Sequence, residues 1–329
     1  TSVKMKVVQS CKNALCLQLS NEMGYRDVLG KTNGMVPSSV LGRGLVRLEE
    51  VCEFQTAMAT KEEQFYNFIK PYIETLKQKG YKKAQEIYIM PEIVDYEKMK
   101  EKYTGLNNVP VGIYKDTLNC ALYDFTRRIG TIVSSNEFDN MNRFIKNIVD
   151  CLANGTGFMP YFVDANNFYE NFEYEKPYTN DNFNEFVDKL AKGNDKIQEM
   201  LAQNNMNYKV LKNIPNTLIV IIGFEKFYKK LDDEHKKTLQ KVFIDNKEEP
   251  KFNFIFIDIP SSFKKYEYED WYKQTIDAAN GIWVGPGLGQ QFVLKASNQL
   301  TSFSAISVEY ACVLKNGTAT ITKLINKIK

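Results

Sequence analysis

Apolar residues recur along this chain in two periods. Short continuous apolar runs at 131–133, 161–163, 218–222, 252–257 and 282–284 predict strands buried on both faces. Between them, stretches of helical period at 138–152, 183–201, around 228–242 and through Trp271 predict covering helices. This alternation predicts an α/β fold with a mostly parallel sheet and helices on both faces. Two hairpins are expected to extend the sheet. One joins 111–114 to 121–125, and the other occupies 307–325 around Asn316-Gly317, a strong short hairpin signal.

The first 58 residues have a different texture. An apolar run at 15–19, punctuation by Gly30, Gly34 and Pro37, and alternation over 44–54 predict strands and turns with no helix able to cover a core. This segment is expected to be a β-rich tail that completes a neighbouring domain, with the main module over 59–329. From Lys61, Phe65, Phe68, Ile69, Tyr72, Ile73 and Leu76 follow helical spacing, and Pro71 within them predicts a kink or a break. A short strand at 87–90 and a charged helix running towards Val109 lead into the first hairpin. The polar stretch 166–184 reads as a solvated loop or, alternatively, a recognition surface.

Composition narrows the chemistry. The 329 residues are 43% hydrophobic, enough for a sizeable core. No apolar run approaches the roughly 20 residues that cross a bilayer, and no secretory signal opens the chain. The chain starts at Thr1, as expected of a piece of a longer protein whose membrane anchor would lie upstream. Its 43 basic and 40 acidic residues are scattered, and the arginines are only Arg26, Arg43, Arg47, Arg127, Arg128 and Arg143. That balance argues against a nucleic-acid partner. Six dispersed cysteines predict reduced, mostly buried thiols. The single histidine, His235, lies in a charged stretch that predicts a solvated helix face, so histidine-based triads and metal sites are excluded.

In a parallel α/β protein, ligands bind outside the carboxyl ends of the strands. The turn after Val133 reads Ser134-Ser135-Asn136-Glu137-Phe138-Asp139-Asn140-Met141. Laid against G-x4-G-K-[ST], the glycines become Ser134 and Asp139, the lysine becomes Asn140 and the magnesium-binding hydroxyl becomes Met141. Asp139 would place a negative charge where phosphates belong, at a cost of about 1 to 4 kcal/mol for a like charge at about 4 Å. The acidic residues expected to end the partner strand 218–222 are replaced by Gly223 and Phe224, and Glu225 could serve only with a register slip of one residue. An α/β sheet that never bound nucleotide fits these losses equally well. Arg127 and Arg128 are candidate substitute cations for a site that still binds ATP. The Gly285-Pro286-Gly287-Leu288-Gly289 run lacks the spacing of a dinucleotide loop and reads as a turn, and Glu267, Glu269 and Asp270 beside Trp271 read as a solvated helix start.

In order along the chain, these pieces resemble the FtsK/SpoIIIE group of P-loop ATPases, and within it the C-terminal modules of the EssC-type coupling ATPases of type VIIb secretion systems. Residues 13–44, with Tyr25-Arg26-Asp27-Val28-Leu29-Gly30 and Leu41-Gly42-Arg43-Gly44, resemble the tail closing one such module. Val51 to Ala57, Ile89-Met90-Pro91-Glu92 and Pro110-Val111-Gly112-Ile113 resemble the lead-in to the next, and Ile282 to Gln291 its closing loop. The resemblance implies a P-loop, RecA/FtsK-like fold in a motor at the cytoplasmic face of the bacterial membrane. Its implied partners are secreted WXG-type proteins, neighbouring ATPase modules, and membrane components reached through regions N-terminal to this chain. The last module of such motors is commonly degenerate. The departures at Ser134, Asp139, Asn140, Met141, Gly223 and Phe224, in a degenerate loop that also holds Ser135 and Asn136 and a strand end followed by Glu225, then imply a module that requires no cofactor and recognises substrates; the alternatives are a module that still binds magnesium ATP weakly or hydrolyses it, and a DNA translocase fragment.

Overall fold

The computed structural model describes residues 13–81, 89–100, 108–153, 158–168, 178–297 and 306–326. The chain divides into two compact units, Thr1–Ile87 and Tyr88–Lys329. Residues 59–87, assigned from the sequence to the main module, fall in the first of these.

In the first unit, β1 (Leu15–Leu17), β2 (Arg43–Arg47) and β3 (Val51–Gln55) form an antiparallel sheet in that order. The expectation of a helix-free segment is corrected by α1 (Glu22–Leu29), whose Tyr25 and Leu29 pack with Cys16 and Leu45 in a small core. Asn21 starts this helix by accepting a hydrogen bond from the Gly24 amide at 2.9 Å, and Gly30, at φ 73°, ends it. Eight residues sufficed, too few for a periodicity to stand out. The next helix, α2 (Phe65–Gln78), runs through Pro71 without a break. Pro71 removes one amide donor, and the Thr75 hydroxyl donates to the Pro71 carbonyl at 2.9 Å, one turn on.

The second unit is built on a ten-stranded sheet. Its strands are β4 (Asn108–Tyr114), β5 (Cys120–Asp124), β6 (Gly130–Ser134), β7 (Phe158–Asp164), β8 (Tyr178–Thr179), β9 (Asn216–Ile222), β10 (Phe252–Ile257), β11 (Ile276–Val284), β12 (Tyr310–Lys315) and β13 (Thr318–Leu324). They lie in the order β5-β4-β13-β12-β11-β6-β10-β9-β7-β8. From β11 to β8 every pairing is parallel, and from β11 to β5 every pairing is antiparallel. Both expected hairpins are present. Asn316 and Gly317, both at positive φ, make the tight turn between β12 and β13.

The central strands are apolar on both faces, and alternate residues supply two cores. Phe252, Phe254 and Phe256 face one, Ile255 and Ile257 the other. The first is covered by α5 (Phe183–Gln203), α6 (Phe224–Lys230), α7 (Asp233–Asp245), α8 (Pro260–Lys264) and α9 (Asp270–Thr275), and the second by the short α3 (Tyr96–Lys100) and chiefly by α4 (Asn142–Ala153). The single helix expected around 228–242 is two, because Asp232 ends one path and caps the next, accepting from the His235 amide at 2.9 Å. Ile89 and Met90 are not in a strand, and the rest of that expected strand, the charged helix beyond Lys100 and most of 166–184 lie outside the described residues.

His235 is not on a solvated face. Its side chain is 19% exposed and joins α7 to α5, with Nδ1 2.7 Å from Asp232 and Nε2 3.3 Å from Asp188. The Asp232 carboxylate, aided by Asp188 and Glu234, raises its pKa above the usual imidazole value. The sign follows: the contact stabilises fully below about pH 6.5 and is lost as pH rises through the folded value. Thermal unfolding midpoints should therefore fall between about pH 6 and 8 in the wild type relative to His235→Gln, and equal pH profiles for the two would refute the clamp.

Candidate functional site

Topology selects one edge of the sheet. From β6 the chain leaves over one face through α4, and from the adjacent β10 it leaves over the other through α8 and α9, so the carboxyl ends of β6 and β10 flank a switch point. The predicted turn lies there. Its residues, however, turn towards the protein itself.

Ser134 and Ser135 are fully buried. The Ser134 hydroxyl donates to the Asp258 carbonyl at 2.6 Å across the switch point, and the Ser135 hydroxyl accepts from the Asn140 amide side chain at 3.2 Å. Asn140, at the position a P-loop gives to lysine, thus folds back onto its own turn. Residues Phe138–Met141 form a 3-10 turn leading into α4. Asp139 is exposed and accepts from the Asn142 side chain at 3.3 Å, while Met141 is wholly buried in the core under α4. The Asn136 side chain donates to the Pro286 carbonyl at 3.3 Å, which also accepts from the Trp283 indole at 2.9 Å. Gly287, at φ 96°, is required by that approach, since a Cβ there would lie 2.4 Å from the Asn136 side chain. The 285–289 run is a turn, locked to the 134–137 turn.

The partner strand β9 shows the same commitment. Gly223, at φ 80°, caps α6, and an added Cβ would stand 2.5 Å from Asn166. Phe224 is buried at the centre of an aromatic cluster, stacked on Phe263 at 5.5 Å and edge-on to Phe256 at 5.0 Å. Neither position could carry a carboxylate without displacing its neighbours. Glu225 retains the acid, but one carboxylate oxygen meets Lys265 at 2.6 Å and Lys229 at 2.9 Å. These contacts, Lys265 first, hold its pKa down to about 2.

A residue that sequence reasoning missed stands between the two strands. Asp258 follows β10, is 7% exposed, and accepts from the Glu225 amide at 2.9 Å and the Ile259 amide at 2.8 Å. It supplies the cap that Gly223 cannot. Burial raises its pKa, opposed by those two amides and by Ser262. The only signal in the sequence was an acid ending an apolar run.

Arg127 and Arg128 are not substitute cations for this turn. They precede β6, whose length of about 13 Å separates them from its carboxyl end. Arg128 is instead bound to Asp277 at 3.3 Å and Asn316 at 3.0 Å. Among the described residues, no three His, Cys, Asp or Glu side chains gather as metal ligands, and no helix is long and apolar enough to cross a membrane.

No protein-family model and no curated protein matches the chain. Solved structures do. The ATPase 2 and 3 region of EssC from Geobacillus thermodenitrificans superposes with a TM-score of 0.62 at 11% identity, over 99% of this chain and 63% of that one. The cytoplasmic domain of EssC gives 0.56 at 13% identity, over 94% and 62%. EccC ATPases 2 and 3 from Thermomonospora curvata, in complex with a signal sequence peptide, give 0.53 at 14% identity, over 89% and 54%. The chain has the fold of these ATPase regions and spans less than two thirds of their length.

Two outcomes follow from this geometry. Asp258→Ala leaves two buried amides unpaired at about 1–3 kcal/mol each, so urea unfolding should report a loss of about 2–4 kcal/mol; an unchanged midpoint would dismiss the cap. Phe224→Asp, which places an acid at the strand end, should yield an unfolded or aggregated protein by circular dichroism, because the carboxylate would enter the aromatic cluster without a partner. A folded variant would show that the position is not committed to packing.

Proposed function

We propose that this chain is a module of a type VII secretion motor that has given up ATP hydrolysis and serves to recognise or couple secreted WXG-type substrates to the neighbouring modules, at the cytoplasmic face of the membrane. The observation that carries the reading is that each side chain standing where nucleotide chemistry is needed is engaged within the fold. Asn140 is bonded to Ser135, Met141 and Phe224 are in the cores, and Glu225 is paired with two lysines. Magnesium ATP needs backbone amides that wrap phosphate, a lysine and a hydroxyl. Here the 3-10 turn spends the Asn140 amide on the Glu137 carbonyl at 3.3 Å, and exposed Asp139 adds negative charge to the same turn. These residues do not fit the group.

The likeness to EssC and EccC supports the secretion assignment, and the signal peptide bound by the EccC structure supports a substrate-facing role. A module freed from hydrolysis can still take part in a motor by binding, since recognition needs surface complementarity and no bond-breaking step.

Calorimetric titration of the purified chain should show no heat with millimolar magnesium ATP and a saturable signal with a WXG-type protein. Steady ATP turnover abolished by Glu225→Gln would overturn the reading, as would nucleotide binding that Asp139→Asn strengthens.

A further inference from the structure

The opposite edge of the sheet holds a second, differently built site. Strand β5 ends at Asp124 on one side of the sheet and β6 begins at Gly130 five strands away. The five residues between them form a short strap anchored by buried Phe125 and Ile129. Its backbone is fixed from two sides. The Asn253 side chain donates to the Thr126 carbonyl at 3.0 Å and the Arg128 carbonyl at 2.7 Å, and Asp124 accepts from the Thr126 amide at 3.0 Å and hydroxyl at 2.7 Å.

Between the strap and the β12–β13 turn lies a cavity of about 410 Å³. Three cations line it, Arg127, Arg128 and Lys315, against one lining carboxylate, Asp124. Two of the cations are oriented by neutral or paired groups: Arg128 by Asn316 and Asp277, and Lys315 by the Tyr114 hydroxyl at 3.0 Å. Arg127 has no hydrogen-bond or ion-pair partner among the described residues, although the strap that carries it is rigid. The Tyr123 hydroxyl also lines the cavity. The free Arg127 guanidinium, beside the oriented Arg128 and Lys315 around a concave space, suits one class of ligand. Guanidinium groups bind oxyanions in fork geometry, and preorganisation lowers the entropic cost of doing so. The volume is at the small end of ligand sites, and the lining offers no broad apolar platform for a nucleobase.

We infer that this cavity binds a compact multivalent oxyanion, of the phosphate or polycarboxylate kind, on Arg127, Arg128 and Lys315. The site lies at the other end of β6 from the β6–β10 switch point, about 13 Å away along the strand, so it neither depends on the nucleotide site nor competes with it.

The test is calorimetric titration of the full chain at low ionic strength with pyrophosphate and, separately, citrate, without magnesium. One saturable site is expected for at least one probe, and the tighter probe identifies phosphate or carboxylate as the preferred chemistry. Arg127→Ala should weaken it about tenfold or more, the loss of one charge-assisted contact. Arg127 is exposed, so this variant should fold as the wild type does. Asp124→Asn keeps the Oδ1 acceptor used by Thr126 while removing the opposing charge, and should tighten binding severalfold. Added sodium chloride should weaken it. No heat with either probe at millimolar concentration would overturn the inference, and so would affinities that neither variant changes.

Discussion

Every side chain of Phe252–Ile257 is buried, as are those of Leu218 through Ile222, and this two-sided burial is the constraint from which the second unit follows. A strand apolar on both faces cannot border water, so helices must cover both sides of the parallel block. With five helices on one face and chiefly one on the other, the paths out of β6 and β10 are forced apart. The switch point is the geometric residue of that division. Its position needs no functional residue.

The contacts at this edge close the gap that the division leaves. Ser134 and Asp258 tie β6 to β10, Asp258 caps α6, and the Asn136, Pro286 and Trp283 contacts close the turn. These groups hold strand ends together. Phe224 is the plainest case. At the end of β9 it fills the centre of a cluster with Phe256, Phe263, Tyr266, Tyr228 and Trp271. The apolar area it removes from water stabilises this edge.

The two edges of the same sheet therefore differ in kind. At the carboxyl edge the polar groups described are paired with one another, and the acid Glu225 is neutralised by lysines. At the amino edge, cations outnumber the acids lining the cavity, and Arg127 has no hydrogen-bond or ion-pair partner among the described residues. A sheet edge with satisfied groups is a structural seam, and one with oriented, unsatisfied donors is a binding surface.

The sequence by itself determined the local parts. Five strands of the parallel block, all but the two-residue β8, and both hairpins could be read directly, because periodicity and turn chemistry are set by residues a few positions apart. It misjudged α1, the split between α6 and α7, the continuity of α2 through Pro71 and the surroundings of His235, where a cap or a single carboxylate outweighs the period. Tertiary structure alone decided what the site residues touch. Ser134 and Asp258 are 124 residues apart, and Arg128 and Asn316 are 188 apart. No local pattern brings such pairs together, and only the strand order placed Asp258 at the switch point and sent Arg127 and Arg128 to the opposite edge. The physical reason is that the hydrophobic burial driving the sheet together specifies which faces are covered, whereas the identity of the groups that then meet at its edges depends on the register and order of strands distant in the chain.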